Sequence, residues 1–269
     1  MRKKLQSTIS TINKKKALDK IYKIVVPLIF IGLFFLIWQI MVWSGRFSQL
    51  ELPSPERTYK AFIFAKDRIM ANTSITLYAS ALGLFFGVLL GFVIALLMDW
   101  FKIFRVGFRP LLTISQTIPT IVIAPLFVIW FGIGITPRVL LVVLTTFFPI
   151  AIGLADGYAS CDPDMIDLMR AMGAGRVKIF WHAKVPNALP NFFSSLRISA
   201  TYAIVAAVVS EWSGGGNDGL GRYIQIAKGM ARTDIMFASI IWIVLLSLLL
   251  MLGIELIKKL FVRWDKKEN

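Results

Sequence analysis

The chain has 269 residues, of which 57% are hydrophobic and only 17% charged, with a mean hydropathy of +0.72; that balance excludes an ordinary soluble domain. One cysteine, Cys161, and one histidine, His182, exclude an internal disulfide and a His-rich metal site. A net charge of +15 would point to nucleic acid in a soluble protein, but in a membrane protein Lys and Arg gather in cytoplasmic loops, so no nucleic-acid partner is expected.

Residues 1–23 form a basic N-terminal tail. The first apolar run, 24–44, is longer than the apolar core of a secretory signal and reads as a retained span. Five further runs, 73–98, 111–132, 139–159, 191–211 and 236–257, reach the roughly 20 residues that cross a bilayer. Each must be helical, because lipid offers no partner to free backbone groups, and none alternates as a barrel strand would. The expected fold is therefore an all-α integral membrane protein with six transmembrane helices in a domain over 24–260, followed by a short tail over 261–269. Two-thirds of the 30 Lys and Arg residues fall on one side of these spans and nine on the other. The asymmetry predicts both termini in the cytoplasm.

Between the first two spans, Pro53 and Pro55 predict a turn followed by an amphipathic helix. Its apolar positions Ala61, Phe62, Ala65 and Ile69 suit either the membrane surface or the bundle. In span two, Gly83, Gly87 and Gly91 recur every fourth residue, a pattern that lets another helix approach closely. Span three carries Pro119 and Pro125, each of which removes a helix hydrogen bond and favours a kink. Kinks beside Ser115, Gln116 and Thr117 would open backbone groups to a water-filled path, with Thr145 and Thr146 lining it from span four. The competing reading is that these hydroxyls bond back within their own helices.

The stretch 161–190 separates spans four and five. Asp162-Pro163-Asp164 is a helix start: a side-chain cap, a proline that fits the first turn, and an acid at the positive dipole end. Met165, Leu168, Met169 and Met172 then form one apolar stripe, and Gly173 suits a left-handed stop. A second short helix is expected with Val177, Phe180 and Trp181 on one side, ended by Pro186 and Pro190. From the residues alone, this pair of helices either docks a soluble partner or lies against its own bundle.

Beyond span five, Glu211 and Trp212 open an outer loop, with Glu211 expected to pair with Arg222. Gly214-Gly215-Gly216-Asn217-Asp218-Gly219 matches GxGxxG, but it follows a membrane helix rather than a strand and reads as a flexible turn. The sequence holds no GxxxxGK[ST] phosphate loop, so ATP hydrolysis would need a separate protein. An ion-driven secondary transporter or channel is the alternative, yet its usual mark, ionisable groups at mid-membrane, is missing: Asp99, Asp156, Arg197, Glu211 and Glu255 lie near span ends. His182 in a loop and Cys161 at a boundary offer no catalytic pair or metal cluster. Cys161 reads as a reduced structural thiol, and His182 as a cytoplasmic surface residue.

The 161–190 loop resembles the "EAA" loop of bacterial ATP-binding-cassette (ABC) importer permeases. That motif is Glu-Ala-Ala, three residues, Gly, nine residues, Ile, any residue, Leu-Pro. Here Asp167-Leu168-Met169, Gly173, and Ala183-Lys184-Val185-Pro186 occupy those places, with departures at the three leading positions and at Ala183. The runs SQTIPTIVIAPLFVIWFGIG (115–134), TTFFPI (145–150) and GLGRYI (219–224) are similar to the branch importing nitrate, sulfonates, taurine or the pyrimidine precursor of thiamine. The resemblance implies a type I importer permease of the MetI-like fold in a bacterial plasma membrane, with no cofactor and no chemistry of its own. It implies partners as well: a second permease subunit in a homodimer, a cytoplasmic ATPase dimer, an extracytoplasmic solute-binding protein, and the surrounding lipid. The loop would be the coupling helix pair, with Asp167, Arg170, Gly173, Ala174, Arg176 and Phe180 as its contact residues.

Overall fold

The computed structural model describes Tyr22 and residues 25–262; the basic tail and most of the C-terminal tail lie outside the described residues. Among the described residues ten α-helices follow one another: α1 (Val25–Trp43), α2 (Pro55–Trp100), α3 (Lys102–Ser115), α4 (Thr120–Phe131), α5 (Ile135–Ala159), α6 (Pro163–Ala171), α7 (Arg176–Ile179), α8 (Val185–Trp212), α9 (Leu220–Gly229) and α10 (Thr233–Phe261). No strand occurs among the described residues. Helices α1, α2, α5, α8 and α10 are long and apolar enough to cross a membrane.

The core is built from small residues where the chain crosses itself. Gly83, Gly87 and Gly91 of α2 face Val142, Thr146 and Ile150 of α5, which share the four-residue spacing. Further along the same stripe of α5, Gly153 meets Ser195 and Gly157 meets Ala188 of α8. Buried Ala203, Ala206 and Ala207 of α8 complete the contact. Without side chains in the way, backbones approach and dispersion contacts multiply, which is what holds helices together in lipid. Two hydroxyls stitch the same seam: Ser80 donates to the Ala203 carbonyl (3.3 Å) and Ser199 to that of Thr146 (3.1 Å). Outside this core, large apolar side chains such as Phe34, Phe85 and Leu249 stand exposed, as on a lipid-facing surface.

Three expectations change. First, the stretch after Pro53 is not a separate surface helix. Ser54 caps the first turn by accepting from the Arg57 amide (3.2 Å), Pro55 opens the helix, and α2 then runs 46 residues without a break. Ala61, Ala65 and Ile69 are buried against α8, α9 and α10, so the bundle reading holds. Second, span three is not one helix. It breaks across 116–119, and α3 and α4 meet at 100°. Pro119 caps α4 rather than kinking a span, while Pro110 and Pro125 are carried inside helices. Counted as one span, the broken pair brings the candidate crossings to six by length and composition. Arg109 in the middle of α3 reaches Asp156 near one end of α5 (2.9 Å), and Gly134 just beyond α4 donates to the Gly215 carbonyl at the other end (3.2 Å). Third, Pro186 and Pro190 do not end the helix; 176–212 is continuous. A π turn at Phe180–Lys184 precedes α8. The wider turn makes room for the ring of Pro186, which follows it inside the continuous helix.

Candidate functional site

The bundle has two polar ends; between them Arg197 of α8 and Glu255 of α10 form a partly exposed ion pair (3.5 Å). At one end lies the 161–190 loop. Asp162 accepts from the Asp164 amide (2.9 Å), with Pro163 in the first turn, as the sequence predicts. The helix closes at Gly173, whose φ is +81°, and the Gly173 and Ala174 amides bond back to the carbonyls of Arg170 and Met169. Helix α6 buries none of its residues. The methionine stripe splits: Met169 packs with Ile166 and Ala174 on Cys161, Ile179 and Ala183, whereas Met165, Leu168 and Met172 face outward. Val177 and Trp181 are exposed too, but Phe180 is not on their side; it is buried against Trp100 and Tyr158. Phe180 opens the widened turn Phe180–Lys184 and faces the core, while Trp181 beside it faces out.

Of the six predicted contact residues, Asp167 and Arg170 pair with each other on the exposed face (2.9 Å), and Gly173 forms the elbow. Ala174 packs beneath the loop. Arg176 turns back to the end of α2, where its guanidinium covers the Trp100 ring at 5.5 Å and donates to the Trp100 carbonyl. Phe180 anchors the loop in the core. Lys184 pairs with Asp99 at 2.6 Å. Cys161 is buried under the loop, and burial pushes its thiol above the ordinary range. His182 is exposed, its Nδ1 3.0 Å from the Lys178 carbonyl.

At the break between α3 and α4 a cavity of about 470 Å³ opens between that pair, α5 and α8. Ser115, Gln116 and Thr145 line it together, joined by Thr120, Phe148 and Tyr202. Thr117 and Thr146 are not part of it: Thr146 is fully buried against Gly87. The hydroxyls of Ser115 and Thr145 also bond back to Leu111 and Val142 (2.7 and 2.9 Å), as the competing reading expects. No charged side chain lines the cavity. Tyr202, absent from the sequence expectations, lies four residues before Ala206 on the same face of α8; its aromatic ring in a small-residue run was the available signal.

At the other end the predicted Glu211–Arg222 pair does not form. Glu211 is fully buried and accepts from Thr76 Oγ1 (2.9 Å) and the Gly221 amide (2.8 Å), with Arg138 Nη1 at 3.9 Å. Arg222 bonds Gln225 instead. Arg138 donates to the Gly215 carbonyl (2.9 Å) and to Asp218 (2.5 Å). The glycine-rich stretch is consequently no flexible turn: the Gly219 and Leu220 amides are held by Asn72 (2.8 Å) and Thr76 (2.9 Å). Burial of these charges is offset by the hydrogen bonds that Glu211 accepts from Thr76 and Gly221 and by the pairing of Arg138 with Asp218.

Comparison with known proteins agrees with this arrangement. Residues 87–264 match the family described as binding-protein-dependent transport system inner membrane component. A probable ABC transporter permease protein of Haemophilus influenzae is 33% identical over 88% of this chain and 96% of its own length. The formylaminopyrimidine transport permease protein ThiX of Halalkalibacterium halodurans is 35% identical over 92% of this chain and 98% of its own. Among solved structures, the inward-facing MetNI methionine ABC transporter superposes with a TM-score of 0.63, at 19% identity, over 72% of this chain and 96% of that one.

Proposed function

We propose a mode of action that proceeds from family membership: the chain belongs to the binding-protein-dependent transport system inner membrane components. It is a multi-pass membrane permease subunit of an ABC importer and not an enzyme. In our reading two copies pair, an ATPase dimer docks on the 161–190 loops, and a solute-binding protein delivers cargo at the end that holds Arg138 and Glu211. The loop end is then cytoplasmic, as are both termini. Asp167, Arg170, Gly173, Ala174, Arg176 and Phe180 form the coupling element, the first two at the surface and the last two anchoring it.

One observation carries this reading. Helix α6 has no buried residue, yet its outward face presents Met165, Leu168 and Met172 at a charged, water-facing end, beside exposed Val177 and Trp181. Exposed apolar side chains of that density mark a contact surface, and flexible methionines suit a groove that changes shape. The cargo passes the cavity at the α3–α4 break, past Ser115, Gln116 and Thr145. Thr117 and Thr146 belong to the walls rather than to the path. Uncharged hydroxyl, amide and aromatic groups there suit a small nutrient of the nitrate, sulfonate, taurine or pyrimidine thiamine-precursor kind; the relative ThiX is a formylaminopyrimidine transport permease.

Gly173→Val tests the coupling assignment. A side chain at Gly173 meets nothing within 4 Å, so the whole cost is the left-handed backbone, roughly 1–2 kcal/mol. The variant is expected in the membrane at normal levels, with ATP-driven uptake abolished in reconstituted importer. Normal uptake by this variant would show that the loop is not the coupling element.

A further inference from the structure

We propose that Asp99 is a positioning residue: it ties the 161–190 loop to α3, so that movement of the loop reaches the cavity. This rests on the reading of that loop as the ATPase contact, and it goes further by naming how the contact is passed on.

Asp99 is the penultimate residue of α2, and its side chain is 5% exposed. A helix ends in carbonyls without intrahelical partners and with negative partial charge. Helix α2 has no basic residue in its own last turn. Its end is served instead by cations from two other elements. From the loop, Lys184 pairs with the Asp99 carboxylate at 2.6 Å, and Arg176 donates to the carbonyls of Asp99 (3.3 Å) and Trp100. From α3, Arg105 donates to the carbonyls of Met98 (3.1 Å) and Asp99 (3.4 Å) and stands 3.6 Å from the same carboxylate.

The three pieces differ in how firmly they are held. Helix α2 is locked to α5 by its glycine face. Helix α3 buries only Leu112, and it leads directly to Ser115 and Gln116 at the cavity. The loop and α3 therefore meet on a fixed post, and one buried carboxylate is common to both. A cleft of about 470 Å³ between Asp99, Arg170, Arg176 and Lys184 leaves the loop room to move about that post. When the loop is displaced, Lys184 is drawn along Asp99. The charge left behind is then rebalanced by Arg105, which pulls the start of α3.

The test uses the complete importer, with ATPase and binding protein, in proteoliposomes. Asp99→Asn removes the charge but keeps the shape; Lys184→Met and Arg105→Met remove one cation each and carry the test if Asp99→Asn folds poorly. Copurification of the ATPase, hydrolysis stimulated by loaded binding protein, and solute taken up per ATP are measured side by side. Assembly and hydrolysis are expected to stay within about twofold while uptake per ATP falls on the order of tenfold, the scale of one charge-assisted hydrogen bond. Asp99→Glu should recover most of it. Unchanged uptake per ATP in assembled variants, or hydrolysis and uptake falling in equal proportion, would overturn the proposal. Loss of the ATPase contact itself would show in the copurification, separately from either result.

Discussion

Substituting Gly87 by alanine probes the seam on which the bundle is built. A methyl group at Gly87 would stand 3.1 Å from Thr146 Cβ and 3.4 Å from the Phe147 amide nitrogen, and far inside contact distance of Thr146 Oγ1. The Thr146 hydroxyl cannot yield freely, because it donates to the Val142 carbonyl at 2.8 Å. Either that bond breaks in a fully buried site, at about 1 kcal/mol, or α2 and α5 separate, at a strain of roughly 1–3 kcal/mol. Gly87→Ala should therefore destabilise the purified protein by about 2–3 kcal/mol, read by thermal or denaturant unfolding in detergent. Thr146→Ala alone should cost about 1 kcal/mol. Combined, the two changes should cost less than their sum, since removing the hydroxyl leaves only the tight 3.1 Å contact between the two methyl carbons; a coupling of roughly 1–2 kcal/mol is expected. An alanine at Gly87 that leaves stability at the parent level, or strictly additive costs in the double variant, would refute the close approach of α2 to α5.

At the other end, Glu211→Ala takes the acceptor from Thr76 and the Gly221 amide while Arg138 keeps Asp218 and the Gly215 carbonyl; a loss of about 1–3 kcal/mol is expected in the same unfolding assay, whereas Arg222→Ala should stay within about 0.5 kcal/mol. Equal effects of the two would restore the pairing that the sequence suggests. Cys161 is buried with its thiol pushed up, and the protonated form is the unreactive one. Maleimide labelling at pH 7 should thus be much slower than for a small free thiol, rise with pH, and become fast on unfolding in detergent; rapid labelling of the folded protein would contradict the packing under the loop.

Local chemistry was legible in the chain wherever neighbours in sequence decide the outcome. Asp162, Pro163 and Asp164 start α6, and Gly173 stops it, because capping depends on the few residues around a helix end. The glycine repeat of α2 was legible as a packing face, though not its partner. The failures share a cause. Pro119 was read as a kink, but a proline is at least as well accommodated at a helix start, and the choice depends on where α3 can pack. Pro186 was read as a stop, but a single wider turn before it absorbs the clash. Glu211 was matched with the nearest arginine along the chain, whereas its partner Arg138 lies on α5 and reaches it only through the fold.

The glycine-rich stretch shows what such failures mean physically. Its match to a nucleotide-binding fingerprint rests on glycines that let a backbone pass close to something bulky. That reason is correct here and the object is different. A Cβ at Gly216 would overlap the Arg138 guanidinium, one at Gly219 would overlap the Glu211 carboxylate, and one at Gly221 would lie 2.9 Å from Glu211 Cβ. The glycines are spent on a lid over a buried ion pair that fastens α5 to α8. Those same helices carry Thr145 and Tyr202 at the cavity, and at their far side Asp99 gathers the cations of the loop and of α3. Ionic joints thus sit at both ends of the bundle, and the middle is held by contacts between glycine, alanine and hydroxyl-bearing residues, which need no charge. No charged side chain lines the cavity between these joints, so a solute on the path proposed above would meet no fixed charge at that point.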